Sequence, residues 1–245
     1  KVEPDDNESL VRLLAHADLY EIEAIVATGG WNTSGRDYPL EWMDYIDTCL
    51  TAYGKDVENL MKRSGQTGFA EDEEGAQMVG YWPSEAYLRS RVMVGSRWLG
   101  MAQIGPENRS EASQRLIQLV DEDDNRPLCV TVWGGANTLS QAIWDVQQER
   151  SESELKKFLN KIIVYTITDQ DVPIQVMHEG MTRNPDYEFS SHYWLRNEFA
   201  DDLMFIWDES AWYEQNDNGK ADWDSYAEFI QPRGNLGKAY PKYLW

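Results

Sequence analysis

Two short apolar runs, Pro127–Trp133 (PLCVTVW) and Ile162–Thr168 (IIVYTIT), constrain the fold more than any other feature of the chain. Neither alternates regularly between polar and apolar, as a strand wetted on one face does. Residues 138–161, between the two runs, carry helical spacing. Apolar strands joined through helices belong to a parallel sheet, because parallel neighbours need a long crossover and bury both faces. Ile22–Ala27 reads as another such strand, ending at Thr28-Gly29-Gly30, and Leu203–Trp207 as a further one. The expected fold is therefore α/β: a Rossmann-like, mostly parallel sheet with helices on both faces. In such sheets ligands bind outside the carboxyl ends of the strands. Three of those ends are marked in the sequence: Thr28-Gly29-Gly30, Gly134-Gly135-Ala136-Asn137-Thr138 and Asp169-Gln170-Asp171. They are expected along one rim.

The helices follow from spacing and caps. Pro4 suits a first helical turn, and Asp5 and Asp6 stand where the helix dipole favours negative charge. Leu10, Leu13, Leu14 and Ala17 continue that helix. Met43, Ile46, Leu50, Tyr53, Val57 and Leu60 make one stripe over 40–61, with Gly54 a point of weakness. Residues 64–80 read as a Gly-rich acidic loop. Ser84 is expected to cap a helix reaching Val94. Further helices are expected over 110–120 and 138–148, and Ser151-x-x-Glu154 is a capping box opening another to Lys161. No repeat and no domain boundary is legible, so 1–245 is read as a single domain.

Acidic residues outnumber basic ones 43 to 22, for a net charge of −21. A nucleic-acid or anionic-membrane surface needs clustered Lys and Arg, so both partners are excluded. The same balance suits neutral ligands and hard cations. No apolar run reaches the 18 residues of a membrane-spanning helix. Cys49 and Cys129 form no CxxC pattern; they read as two buried thiols, one disulfide being the alternative. The 11 Trp and 13 Tyr either fill a core or offer flat surfaces to sugars.

Candidate chemistry is sparse. Asp5-Asp6 are either dipole-favoured surface charges or ligands of a hard cation. Gly134-Gly135 alone is explained by a tight turn, and Asp169 and Asp171 by a helix cap or loop acids. Glu214-x-Asn216-x-Asn218-Gly219 imitates the start of an EF-hand, but Ser225 holds the twelfth position, where a bidentate Glu is required. His16, His178 and His192 show no HExxH spacing, and His16 reads as a structural member of the first helix. The absence of GxSxG, Walker and GxGxxG motifs disfavours serine-nucleophile and nucleotide-phosphate chemistry.

Several stretches together resemble the nucleoside hydrolase-like family that includes the cellulose-binding Sde182-type proteins of polysaccharide-degrading bacteria. They are Val2–Leu14 (VEPDDNESLVRLL), Ile22–Thr28, Pro83–Ser90 (PSEAYLRS), Val132–Leu139 (VWGGANTL) and Tyr165–Asp171 (YTITDQD). The resemblance implies a Rossmann-like domain with calcium at the carboxyl rim. It places Asp5 and Asp6 as metal ligands, one of them the base that activates water, and Asn137 as a carbonyl donor to the metal. It sets Asn32 against a sugar. Asp169 and Asp171, at a strand end on the same rim, are the further substrate-binding candidates. Trp31 either stacks on a sugar ring or lids the core. The family's first strand and leading aspartate would precede Lys1, its late acidic ligand would follow Trp245, and its late catalytic histidine has no match. The implied activity is calcium-assisted hydrolysis of a glycosidic bond in plant-polysaccharide or nucleoside-like substrates. The alternative is a non-catalytic cellulose- or polysaccharide-binding module on the same scaffold. The resemblance also implies a secreted or periplasmic protein, though no signal peptide is legible, with a carbohydrate or glycoside ligand and possible homo-oligomerisation.

Overall fold

The two apolar runs pair with each other, as their composition demands. In the computed structural model, Leu128–Val132 and Ile162–Thr166 are adjacent parallel strands, and Met204–Trp207 adds a third parallel strand beside the second. In chain order they are β3, β4 and β5, after β1 (Ile25–Ala27) and β2 (Val92–Val94), which pair in a two-stranded sheet. The structure describes residues 4–30, 38–69, 77–171, 189–208, 210–211 and 222–242. These divide into two compact units. One comprises Lys1–Ile25, Glu41–Met93 and Gln215–Trp245, and the other Val26–Leu40 and Val94–Glu214. Each unit is assembled from separated stretches, so no linker marks it in the sequence.

The second unit holds the three-stranded sheet and the helices α4 (Glu111–Asp121), α5 (Asn137–Glu149), α6 (Glu152–Leu159) and α7 (Ser191–Glu198). Val130, Val164 and Phe205 lie in one row across the strands. Val132, Ile162 and Val164 enter a core with Leu139, Ile143, Val146, Phe158, Leu159 and Leu195. Each such side chain contributes about 1.5–3 kcal/mol on full burial. The helix starts are those expected. Ser110 and Ser113 cap α4 reciprocally, and Glu154 takes the Ser151 N–H at 2.9 Å. Lys161 closes the far end of α4, its Nζ donating to the carbonyls of Val120 (2.5 Å) and Glu122 (2.7 Å).

Burial within the sheet differs from expectation. Cys129 and Thr131 on β3, and Met204 and Ile206 on β5, are exposed. Successive strand residues face opposite ways, and the helical core takes the Leu128–Val130–Val132 face. Cys129 is therefore not the buried thiol its apolar run suggests. Cys49 is buried, and both cysteines are free.

The first unit is built on α1 (Pro4–Leu14), α2 (Tyr38–Ser64, of which Glu41 onward lies in this unit) and α3 (Glu85–Ser90), with α8 (Trp223–Phe229) and α9 (Gly234–Ala239). Leu10, Val11, Leu14, Ile46, Leu50, Tyr53 and Val57 are buried in it. Helix α2 runs unbroken through Gly54, because glycine is needed there for contact rather than for a bend. A Cβ at this position would lie 1.7 Å from Glu85 Oε2. Asp56 caps α9, accepting from the N–H groups of Asn235 (2.5 Å) and Leu236 (2.7 Å) and from Asn235 Nδ2 (2.7 Å). Asn7 Nδ2 donates to Ala239 O at 3.0 Å, and Arg12 donates to the Tyr240 hydroxyl at 2.6 Å.

Two expectations need correction here. The helix capped by Ser84 stops at Ser90, and Val92–Val94 is a strand. The carbonyl of Arg91 accepts from Ile25 N at 2.9 Å, which commits this backbone to β1. His16 lies beyond the end of α1, exposed, with Nδ1 2.8 Å from Arg12 O. Among the described residues no helix is long and apolar enough to cross a membrane.

Candidate functional site

The three glycine- and aspartate-marked strand ends meet within the second unit. Gly135 N donates to Gly29 O at 2.8 Å, and Gln170 Nε2 donates to Trp133 O. Thr28 and Thr138 hydroxyls lie 3.1 Å apart, and Thr138 Oγ1 also accepts from Ser96 N at 2.9 Å. The glycines make the approach feasible. A Cβ on Gly30 would lie 2.9 Å from Gln170 Oε1, and one on Gly135 would lie 2.9 Å from Gly29 O and 3.0 Å from Asp171 Oδ1. The expected rim is thus present for these three ends.

At the end of β4 the chain delivers Asp169 and Asp171, and the start of α7 meets them. Ser190, the N-cap, accepts from Tyr193 N at 3.1 Å and donates its hydroxyl to Asp169 Oδ2 at 2.6 Å. Asp169 Oδ1 takes the Asp171 N–H at 3.0 Å. Asp171 Oδ2 takes the Ser191 N–H at 2.7 Å and the Ser191 hydroxyl. The next residue, His192, is fully buried, with the rings of Trp207 and Phe205 edge-on at 5.3 and 5.7 Å. Its Nε2 lies 2.6 Å from Thr166 Oγ1 and its Nδ1 4.0 Å from Asp169 Oδ1. Ligand atoms of Asp169, Asp171 and His192 all fall within 4.8 Å of one another.

The electrostatics of this cluster follow from its burial. Desolvation, and then the charge of Asp169, hold the Asp171 carboxyl above the usual carboxylate range, while His192 and Ser191 oppose the shift. Burial lowers His192 to about 4, so its imidazole is neutral at ordinary pH. Asp171 Oδ1 and His192 Nδ1 are sealed from solvent and have no hydrogen-bond partner among the described residues. Buried acceptors left in that state are costly. A divalent cation would satisfy two such atoms together, and two carboxylates with one imidazole are a donor set that fits a metal.

The sequence-derived candidates divide between the units. Asp169 and Asp171 belong to the cluster. Asn137, expected to give the metal its carbonyl, stands beside it: its Oδ1 accepts from Gly100 N at 3.0 Å and lies 3.3 Å from Ser191 Oγ, whose proton goes to Asp171. Asp5 and Asp6 lie in the first turn of α1, in the other unit. Burial raises the Asp5 carboxyl, against the pull of nearby backbone N–H groups. Among the described residues, Asp169, Asp171 and His192 are the grouping with metal-ligand spacing, and Asp5 and Asp6 are not part of it. Trp31, Asn32 and the EF-hand-like stretch lie outside the described residues. His192 carries no sequence signal as a ligand. Its one clue is the Ser190-Ser191 pair, which starts a helix where strand–helix alternation returns the chain to the rim.

A parallel sheet packed by helices, with polar groups gathered at its strand ends, is a Rossmann-like α/β scaffold. A solved structure is similar in fold: a nucleoside hydrolase-related hypothetical protein from Saccharophagus degradans that is associated with carbohydrate metabolism. That protein is 32% identical with a TM-score of 0.70, over 99% of this chain and 49% of the other, so the present chain spans about half its length. The family model "Cellulose-binding Sde182, nucleoside hydrolase-like domain" matches residues 1–245. The chain belongs to that family. No curated protein matches it.

Proposed function

We propose that this chain binds a carbohydrate at the carboxyl rim of its second unit, through a divalent cation held by Asp169, Asp171 and His192. The observation that carries the reading is the pair of buried, unsatisfied acceptors, Asp171 Oδ1 and His192 Nδ1, within one cluster. The cation, when bound, supplies positive charge for the hydroxyl oxygens of a sugar. Ser190 and Ser191 orient the two carboxylates, and Phe205 and Trp207 keep water from the imidazole. The glycines of the rim let its strand ends pack against one another, which brings the cluster's elements together. Membership of a cellulose-binding, nucleoside hydrolase-like family supports a polysaccharide ligand, and with it a location outside the cytoplasm. Calcium is the cation that the family resemblance implies.

A second reading, hydrolysis of a glycosidic bond, is favoured by Asp5. A carboxyl raised by burial holds its proton nearer to working pH, as a general acid or base must. On this reading Asp5 or Asp6 takes the proton of the water that attacks an oxocarbenium-like anomeric carbon. Retention on cellulose, with and without chelator, tests the first reading. It should fall with chelator and in Asp171→Asn; retention unchanged by both would move the sugar site elsewhere. Release of reducing sugar or free base, lost in Asp6→Asn, tests the second. Light scattering of the intact chain tests homo-oligomerisation.

A further inference from the structure

We infer that Thr166 is a positioning residue that fixes the tautomer of His192 and thereby gives the cluster a nitrogen ligand, selecting a borderline cation of the zinc or manganese class over calcium. This deepens the cation reading above and rests on it, and it replaces the calcium that the family resemblance implies, because calcium takes oxygen ligands. The argument starts from one proton. The Thr166 hydroxyl has a single hydrogen and two neighbours: the Thr168 carbonyl at 3.1 Å and His192 Nε2 at 2.6 Å. A carbonyl only accepts. Both contacts are hydrogen bonds at once only when the hydroxyl donates to Thr168 O and Nε2 carries the ring proton and donates to the hydroxyl. The Nδ1 lone pair is left facing Asp169 Oδ1 across 4.0 Å, with no hydrogen-bond partner among the described residues. In the other tautomer the hydroxyl would turn away from Thr168 O. An N–H would then be buried 4.0 Å from Asp169 Oδ1, beyond hydrogen-bond range.

The fold holds this arrangement in place. Thr166 ends β4, fully buried and in register with Val132 on one side and Trp207 on the other. Its side chain shares the buried strand face with Ile162 and Val164. Its own carbonyl accepts from Asp208 N at 2.8 Å. The hydroxyl is thus set by the sheet, and the imidazole by the hydroxyl. Histidines that ligate metals commonly donate their second ring N–H to such an outer partner. A cluster of two carboxylates and one imidazole nitrogen matches zinc, manganese or iron, whereas calcium takes oxygen ligands.

The test uses the intact chain. Nitrogen NMR of the His192 ring in chelator-treated protein should place the proton on Nε2; a proton on Nδ1 overturns the inference. Calorimetric titration should find zinc chloride or manganese chloride bound more tightly than calcium chloride, and the reverse order overturns it. Thr166→Val should weaken zinc about 10–100-fold and leave calcium nearly unchanged, while Thr166→Ser restores zinc. Wild-type zinc affinity in Thr166→Val overturns it. If no cation binds the wild-type chain, the cation reading fails, while the ring-proton position still decides the tautomer.

Discussion

Two carboxylates of the second unit, Asp145 and Asp171, sit in opposite circumstances. Asp145 on α5 is satisfied on both oxygens. Oδ1 accepts from Gln141 Nε2 at 3.0 Å, and Oδ2 from Gln114 Nε2 at 3.0 Å and Arg109 Nε at 3.0 Å. Asp171 is satisfied on Oδ2 alone, and its buried Oδ1 has no donor among the described residues. The same chemical group is a structural tie in one place and an open valence in the other. The number of acidic residues does not separate these roles. What separates them is whether the surrounding fold has supplied enough donors.

That contrast can be broken most forcefully at Asp145. Asp145→Ala leaves the buried Gln141 amide without its acceptor, while Arg109 keeps Glu149 at 2.6 Å, and should cost up to about 3 kcal/mol. In a thermal melt the midpoint should fall by up to roughly 6–12 °C, at about 2–4 °C per kcal/mol for a chain of this size. Next in size is the cation. At 100 times its dissociation constant a bound ion stabilises by about 2.7 kcal/mol, and melts with and without chelator should show that shift in wild type and not in Asp171→Asn. Smaller again, and of opposite sign to the Asp145 result, Asp171→Asn in chelator should raise stability by about 1 kcal/mol, because it removes a charge with an unsatisfied buried oxygen.

The pH dependence sharpens the comparison further. His192 is lowered in the folded state to about 4 from an ordinary 6.5. The unfolded chain therefore binds the extra proton first as pH falls. The stability that His192 contributes is present above 6.5 and lost between 6.5 and about 4. Denaturant titrations in chelator should show this loss, and His192→Gln should flatten it. The smallest effect concerns the thiols. Cys129 on the open sheet face should react with a disulfide reagent in the folded protein. Cys49, donating to Asn7 Oδ1 at 3.0 Å and pushed up to about 12 by burial, should react only on unfolding.

Much of this was legible in the sequence, for reasons that can be named. The runs PLCVTVW and IIVYTIT announce strands because residues of that kind have nowhere else to go. The Gly-Gly turns and Asp169-Gln170-Asp171 then fall on the rim by topology alone. What could not be read depends on contacts distant in sequence. The face of β3 that takes Cys129 is decided by which side α5 and α6 cover. Val92–Val94 is too short for a period, and becomes a strand because β1 lies alongside it. His192 and Thr166 form a ligand and its support only because α7 starts against the end of β4. No motif of adjacent letters records that meeting.

The cap that Asp56 places on α9 has a consequence for the order of assembly. A ribosome delivers Asp56, Asn7 and Arg12 long before Asn235, Ala239 and Tyr240, which their side chains hold. The sheet of the second unit, by contrast, is complete once Trp207 has emerged. The middle of this chain can therefore fold while its first helix still waits, and the oldest residues are among the last to find their partners.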